Sequence, residues 1–351
     1  MRLQSLLSVG VVVACIWPST LEGQEAATDL RIRLKAIDGA PINGALVALV
    51  DAKDSVVAEG VANETGARLL RALPGVYRVR VRRIGYLPFV SSPVSLAVST
   101  ELTVSVESPR VVLDQIVVNS KSQCRSSDPA SQTLSVVWDE IDKALRSSQL
   151  TTGDLSGIGN AHMYRMETTP NGAVTSADTT VFRITSDRPF GAIAPESLFL
   201  RGYVQGGPGT GWVYFGPDET VLRSEQFAST HCFRLVRDIS RPRDIGVAFE
   251  PAPNRDLPDI AGTLWVDRST SELREMVFNF VNAGLLTRFK ASGFTKFRHL
   301  PSGAWIVDQW KLRAPRLVVR EVSDGYTRRS EYSSIGILDT GGGIIRPAPD
   351  R

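Results

Sequence analysis

The sequence has few of the residues on which catalytic and metal sites are usually built. It contains 3 histidines and 3 cysteines, and His162, His231 and His299 lie far apart along the chain. None of them begins an H-x-x-E or H-E-x-x-H pair, and no G-x-S-x-G elbow, P-loop or G-x-G-x-x-G motif occurs. The sequence therefore predicts a protein that is not an enzyme, with no catalytic residue, no metal ligand and no cofactor.

A strong excess of charge of either sign is also missing. There are 40 basic and 37 acidic residues, a formal net charge of +3. The densest basic stretch, Arg78–Arg83, alternates with valine like the solvent face of a strand. A nucleic-acid binder concentrates its basic residues on one face or arm, so nucleic acid is not an expected partner.

No apolar run is long enough to cross a membrane. The N-terminal run from Leu6 to Trp17 falls well short of the about 20 residues that a bilayer core requires. It follows Arg2 and ends before Pro18, and Gly23 offers a small residue for cleavage. Residues 1–23 are thus predicted to be a signal peptide. We expect an exported protein that is periplasmic, outer-membrane-associated or extracellular, with no membrane span after cleavage.

An alternative for the N-terminus is lipidation at Cys15. The segment Val12-Val-Ala-Cys15 is similar to the lipobox of bacterial lipoproteins, in which the cysteine is acylated and becomes the first mature residue. Cys15 lies early for such a signal, and the apolar run continues past it through Ile16. Both alternatives stay open at this point.

The other two cysteines, Cys124 and Cys232, are candidates for a disulfide bond. An isolated pair in an oxidising compartment is typical of a disulfide, and the alternative is two unrelated buried thiols. His231 precedes Cys232, but two cysteines and one histidine do not make a zinc site.

Residues 30–108 have the pattern of a small β-sandwich. Leu30, Ile32 and Leu34 alternate with basic residues, as in a half-buried strand, whereas Ala45–Val50 is continuously apolar, as in a strand covered on both sides. Further alternating strands and turns follow every 8 to 12 residues or so. Gly75 and Gly85 fall where turns favour a positive φ, and the Tyr77 hydroxyl is expected to find a partner.

Three sequence blocks in this region carry a family resemblance. They are Asp38-Gly-Ala-Pro-Ile-Asn-Gly-Ala-Leu-Val47, Asn63-Glu-Thr-Gly66, and Leu73-Pro-Gly-Val-Tyr-Arg-Val-Arg-Val81 with Ile84-Gly-Tyr86. In order and spacing they resemble the carboxypeptidase regulatory-like domain. The resemblance implies a transthyretin-like sandwich of seven strands, which zinc carboxypeptidases have as a non-catalytic appendage. Several starch-binding modules share that fold, so carbohydrate binding is one functional expectation by analogy.

Residues 109–127 are predicted to form a linker that begins with an extended strand, Val111–Val118. A helix is then expected from the N-cap Asp128 and Pro129 to about Ser147. One apolar stripe at helical spacing indicates a packing face; it comprises Leu134, Val137, Trp138, Ile141, Ala144 and Leu145. Asp139, Glu140, Asp142 and Lys143 fall elsewhere on the helix.

The rest of a second domain, residues 128–340, consists mainly of candidate strands, with a short helical turn at Asp218–Phe227. The predicted strands are His162–Thr168, Thr179–Thr185, Ser197–Val204, Gly211–Phe215, Cys232–Arg237, Ile245–Phe249, Gly262–Val266, Arg274–Asn282, Thr287–Phe297, Trp305–Leu312 and Tyr326–Ser334. One large, curved antiparallel sheet wrapped around the helix satisfies this pattern. Residues 341–351, beginning with Gly341-Gly-Gly343, are expected to be a tail.

The segment Ile260–Leu273 carries a second and shorter resemblance. Its G-x-L-W-V-D-x-x-T pattern is similar to a hairpin of the LolA-like half-barrels, which carry lipoproteins in the periplasm. The overall prediction is a mainly β protein, a sandwich followed by an α+β sheet domain. It is expected to act as a non-catalytic binding or structural protein of the bacterial envelope. The alternatives are a carrier of a lipid or other apolar ligand and a carbohydrate-binding module; the partner, whether protein, glycan or lipid, is not defined.

Overall fold

A computed structural model describes residues 27–98, 100–107, 109–113, 129–190, 193–207, 209–323 and 326–345. The fold is mainly β, with 51% of residues in strands and 16% in helices, which confirms the predicted fold class. The predicted export signal, Cys15 and Cys124 lie outside the described residues. Within those residues, no helix has the length and apolarity needed to cross a membrane.

The N-terminal region forms two small sheets that face each other. Its strands are β1 (Thr28–Lys35), β2 (Leu46–Val50), β3 (Val56–Val61), β4 (Ala67–Ala72), β5 (Gly75–Arg82), β6 (Phe89–Val90), β7 (Val94–Leu96) and β8 (Thr100–Ser105). One sheet has the order β4-β1-β8 and the other the order β3-β2-β5-β6, with β7 also paired to β5. The two sheets enclose a single apolar core, so the predicted β-sandwich is present.

Alternation along the strands produces this core. Ile32 and Leu34 on β1 are 0% exposed, as are Val47 and Val79 on the opposite sheet, while the residues between them on β1 face solvent. The prediction for Gly75 was wrong: it begins β5 and is not among the residues with positive φ, whereas Gly85 has φ 78°. A Cβ at Gly75 would instead lie 3.0 Å from the Tyr77 hydroxyl oxygen.

The next element is the long helix α1 (Pro129–Asp154). Val137, Ile141 and Leu145 on its apolar stripe are fully buried, as expected. The helix continues beyond Ser147 and past Gly153, because Ser148 and Thr152 are buried and Thr152 hydrogen-bonds to the Ser148 carbonyl at 2.8 Å. Tertiary packing here outweighs the low helix propensity of glycine and serine.

The second region is dominated by one nine-stranded antiparallel sheet. In chain order the second region contains, after α1, β9 (Asn160–Thr168), β10 (Val174–Arg183), α2 (Pro195–Arg201), β11 (Val204–Gly207), β12 (Gly211–Tyr214), α3 (Glu219–Leu222), α4 (Glu225–Thr230), β13 (His231–Val236), β14 (Asp244–Pro251), β15 (Asp259–Asp267), β16 (Leu273–Val281), β17 (Ser292–His299), β18 (Trp305–Ser323) and β19 (Arg328–Ile345). β11 and β12 form a separate two-stranded sheet, and the other nine strands form the large sheet. The strand order is β10-β9-β19-β18-β17-β16-β15-β14-β13. Helix α1 packs across β14, β15, β16 and β18.

Two predicted strands were wrong in whole or in part. Ser197–Val204 is mostly the helix α2, because Pro195 lies in the first turn, where proline favours a helix start. The predicted strand from Thr287 begins only at Ser292. A 3-10 helix, Gly284–Phe289, precedes it. The C-cap residue of this helix, Lys290, is in the left-handed conformation with φ 52°.

The predicted tail was also wrong over its first five residues, since β19 extends to Ile345. Gly341–Gly343 lie in this strand between β18 and β9. A Cβ at Gly341 would lie 2.5 Å from the Tyr164 ring, and one at Gly343 would lie 2.1 Å from the Asp308 carbonyl oxygen. The glycines are therefore required by close approach of neighbouring strands and do not mark a loose terminus.

The last two strands are much longer than expected and continue beyond the sheet. β17 pairs with β18 only as far as Arg313, whereas β19 pairs with β18 up to Ser323. Pro315 is tolerated in β18 because it lies past the end of β17, where no strand pairs with that side of β18.

The sandwich lies directly against the second region. The backbones of Gly44 and Gly303 touch: a Cβ at Gly44 would lie 2.0 Å from the Gly303 carbonyl oxygen. The Val111 amide donates to the Gly85 carbonyl at 2.8 Å, and Leu113 is buried in the core of the second region. The start of the predicted linker thus joins the two cores; residues 114–128 lie outside the described residues.

Candidate ligand-binding site

The inner face of the large sheet is incompletely filled. After β12 the chain crosses this face as Phe215-Gly-Pro217 and then forms the short helix α3. Between this segment and the sheet lies an apolar cavity of about 230 Å³. Seven aromatic side chains line it, which are Phe190, Tyr214, Phe215, Phe278, Phe294, Phe297 and Trp310.

Glycines bring the covering segment and the sheet together. A Cβ at Gly293 of β17 would lie 2.3 Å from the Phe278 ring, so the ring lies across the neighbouring strand. Gly216 approaches Leu312 in the same way, at 3.0 Å. Part of the cavity wall is thus formed by the Phe278 ring, which packs against the backbone of Gly293, and by Leu312, which packs against Gly216.

Two polar atoms of the lining have no hydrogen-bond partner. Tyr214 Oη and Trp310 Nε1 are both buried, and neither makes a hydrogen bond in the part of the chain that the structure describes. Burial raises the pKa of Tyr214 to about 12, so its hydroxyl stays protonated over the physiological range. A buried donor without a partner costs about 1–3 kcal/mol, which makes these atoms unusual in a native structure.

Glu219 is the one lining carboxyl with a raised pKa. Burial raises the pKa of Glu219 to about 7, although its own backbone amide and the Ser148 hydroxyl hydrogen-bond to it. Exposure of the whole residue is intermediate, but Ser148 Oγ, which donates to Glu219 Oε1 at 2.8 Å, belongs to a residue that is 0% exposed. The carboxyl end is therefore the buried part of the side chain.

The other charged groups of the lining are already paired. Asp218 caps α3 by accepting from the Val221 amide at 2.9 Å and binds Arg188 Nε at 2.6 Å. Lys311 Nζ lies 3.0 Å from Asp339 Oδ2. The cavity is therefore mainly apolar, with hydrogen-bond donors but without an uncompensated cation.

Helix α1 connects this site to the sandwich. The face with Glu140 and Lys143 is buried: both side chains are 1% exposed and Nζ lies 2.8 Å from Glu140 Oε1. Lys143 also donates to the Tyr86 carbonyl at 2.8 Å, and Glu140 accepts from the Gly85 amide at 2.7 Å. Burial raises the pKa of Glu140, and the Lys143 ammonium opposes that shift.

A second ion-pair chain extends from the sandwich to α3. Arg82 Nη2 lies 2.9 Å from Asp142 Oδ2, and Arg223, which follows α3, lies 2.6 Å from the other oxygen of Asp142. Burial alone would raise the pKa of Asp142, but the guanidinium groups of Arg223 and Arg82 lower it below its usual value. The sandwich, α1 and the helix that carries Glu219 are thus held by one set of charges.

The residues proposed from the sequence occupy other places. Cys232 is buried in β13; with Cys124 outside the described residues, the disulfide stays a prediction. His231 is also buried, with Nε2 at 3.1 Å from Asp259 Oδ1, and it packs on Phe227 and Phe249. Both side chains of this pair are buried, at 1% and 0% exposure. No group of three or more potential metal ligands occurs among the described residues.

Sequence reasoning missed the cavity itself. Tyr214, Glu219, Phe278 and Trp310 come from four separate elements, and only the folded sheet brings them together. Within the segment Ile260–Leu273, Asp267 forms an Asx turn, since its Oδ1 accepts from the Ser269 and Thr270 amides.

A larger opening of about 440 Å³ lies at one end of the sandwich, beside Ile37, Arg83 and Tyr86. It is an open groove. The Tyr86 ring lies under the guanidinium groups of Arg83 and Arg110, at 4.8 and 5.7 Å from the ring centroid. Cation–π contacts thus already engage the ring that a sugar would stack on.

The architecture defines a sandwich module docked on a helix-and-sheet region that has an apolar cavity. Comparison with protein families matches residues 30–108 to the carboxypeptidase regulatory-like domain, which confirms the predicted resemblance for the sandwich. No curated protein has a sequence that matches the chain.

Proposed function

We propose that this chain is an exported, non-catalytic binding protein of the cell envelope that holds a small apolar ligand on the inner face of its large sheet. The single observation that carries the proposal is the cavity with its aromatic lining and its two donors that have no partner in the described residues. It favours the ligand-carrier alternative over a purely structural role. The similarity of Ile260–Leu273 to LolA-like half-barrels is consistent with it and stays a prediction.

The cavity has the features of a ligand site and not of a packing defect. Protein interiors are close-packed, and small-molecule sites are concave, largely apolar and furnished with a few polar groups. Its volume of about 230 Å³ lies just below the roughly 300–1,000 Å³ that such sites span. One aromatic ring with a short chain fits this volume, and because the cavity is open on one side, a larger aromatic molecule can extend from its mouth.

The assignment as a binding protein is supported by the charge pairing. Acid–base catalysis requires at least one group free to exchange a proton with the substrate, and usually a second. Asp218 and Lys311 are held in ion pairs, which leaves Glu219 alone at the cavity. In this proposal the sandwich is a docking module that fixes α1.

Export and the disulfide belong to the same proposal. The short apolar run before Gly23 supports export, and the pair Cys124–Cys232 would then tie residue 124 to the edge strand β13. Peptide mapping of unreduced protein from the exported fraction should yield a cross-linked Cys124–Cys232 peptide. An N-terminus at Cys15 with acyl mass would replace the soluble form by the lipoprotein alternative.

The experiment that tests binding is displacement of the uncharged fluorophore N-phenylnaphthylamine, together with native mass spectrometry of the purified protein. Thr295 lies on β17 between Met276 and Trp310 and lines the cavity. Thr295→Trp should fill the space and abolish fluorophore binding. Thr180→Trp, on the exposed edge strand β10, is the matched control and should bind normally. Equal binding by both variants, or none by the wild type, would refute the proposal.

A further inference from the structure

The cavity contains more hydrogen-bonding capacity than an aliphatic ligand can use. Tyr214 Oη and Trp310 Nε1 are buried polar atoms without a partner in the described residues, and both side chains line the same cavity. Indole nitrogen is a donor only, and the phenol is a donor in its protonated form. Both groups can therefore donate a hydrogen bond to an acceptor atom of a ligand.

The charges around the cavity restrict what that acceptor can be. Asp218 and Glu219 lie on one wall, and the single lining cation, Lys311, is bound to Asp339. An anionic ligand would lose its hydration and meet carboxyl groups without gaining a free cation. Burial raises the pKa of Glu219 to about 7, so only the part of its population that is ionised at neutral pH adds to this exclusion.

From these contacts the geometry points to an uncharged carbonyl compound, an ester or amide attached to an apolar or aromatic body, as the ligand class. The carbonyl oxygen, which has two lone pairs, accepts from both Trp310 Nε1 and Tyr214 Oη, and the apolar body packs against rings such as Phe278. This inference rests on the proposed function, because it names the chemistry of the ligand in the same cavity.

The test compares three probes of similar shape by displacement of N-phenylnaphthylamine. They are the ester methyl hydrocinnamate, the corresponding carboxylate anion hydrocinnamate, and the hydrocarbon pentylbenzene. The wild type should bind the ester more tightly than the hydrocarbon, by about fivefold for each hydrogen bond gained. It should bind the anion most weakly.

Two conservative variants remove the donors and keep the rings. Trp310→Phe and Tyr214→Phe should each reduce the preference for the ester by about fivefold, with pentylbenzene affinity maintained. Trp265→Phe and Tyr332→Phe are the matched controls, since Trp265 packs under Arg241 and Tyr332 under Trp212, both away from the cavity lining. Their ester preference should equal that of the wild type.

The outcomes distinguish failure of the ester inference from failure of the proposed function. Wild-type protein that binds all three probes equally, or prefers the anion, overturns the ester inference and leaves apolar binding intact. Protein that binds no probe and no fluorophore overturns the proposed function as well. An ester preference that survives in both donor variants also overturns the inference, because it would arise from groups other than the two donors.

Discussion

The sandwich and the large sheet use their inner faces in different ways. In the sandwich, two sheets meet with side chains such as Ile32, Leu49 and Val79 at 0% exposure, and the interior is packed. In the second region, part of the inner face is covered by a crossing segment that leaves a cavity. The comparison teaches that the region matched to a family model, residues 30–108, is the tightly packed one, whereas the aromatic cavity lies in the other region.

The largest expected loss in the free energy of unfolding comes from a variant at the surface where the two regions meet. Lys143→Met leaves Glu140 buried without its cation, and breaking a buried pair in this way costs about 3–5 kcal/mol. We expect that loss in the free energy of unfolding, measured with denaturant. The double variant Glu140→Gln with Lys143→Met should recover most of it. A single variant as stable as the wild type would show that the helix is not clamped between the regions.

Truncating one large aliphatic side chain in each region compares the packing of the two regions directly. Ile32→Ala in the sandwich core should lower the free energy of unfolding by about 2–5 kcal/mol. Leu312→Ala borders a cavity that already exists, so fewer contacts are lost, and its cost should lie at or below the lower end of that range. Equal costs in denaturant unfolding would mean that the cavity wall is as tightly packed as the sandwich.

The pH dependence of stability is a third difference. The folded-state pKa of Glu219 is raised to about 7 from the ordinary 4.5. Its contribution to stability is therefore full below pH 4.5 and is lost as the pH rises through 7, a change of about 3 kcal/mol. Glu219→Gln should flatten this slope between pH 4.5 and 7, measured by denaturant unfolding at each pH. The exposed Glu64→Gln should leave the slope unchanged, and a wild-type slope in Glu219→Gln would contradict the assignment.

The smallest expected effect is local to the sandwich. Tyr77 Oη donates to the Leu73 carbonyl at 2.8 Å across the turn that precedes β5. Tyr77→Phe should cost about 1 kcal/mol in thermal unfolding and leave fluorophore binding unchanged. Weaker binding in this variant would show that the sandwich is energetically coupled to the cavity.

The sequence predicted the elements whose signal is local. Alternation predicted β1, an apolar stripe predicted α1, and three ordered blocks predicted the sandwich. Prediction failed where distant packing decides the outcome. Gly341–Gly343 looked like a tail because a close approach between strands leaves no trace in a single sequence, and Glu140 and Lys143 looked like ordinary polar positions of a helix.

The candidate site could not be predicted from the sequence for the same reason. Its donors, Tyr214 and Trp310, are ordinary aromatic residues in their own strands, and their lack of partners exists only in the folded chain. The pKa of Glu219 likewise depends on burial near Ser148, which is distant in sequence.

The contact between Gly44 and Gly303 bears on modularity. At this contact main chain meets main chain, with no room for a side chain on either partner. A sandwich grafted from another protein would have to supply glycine at position 44 and a counterpart to Gly85 that meets Glu140. A chimaera cut at residue 108 would therefore separate Gly44 from Gly303 and Gly85 from Glu140.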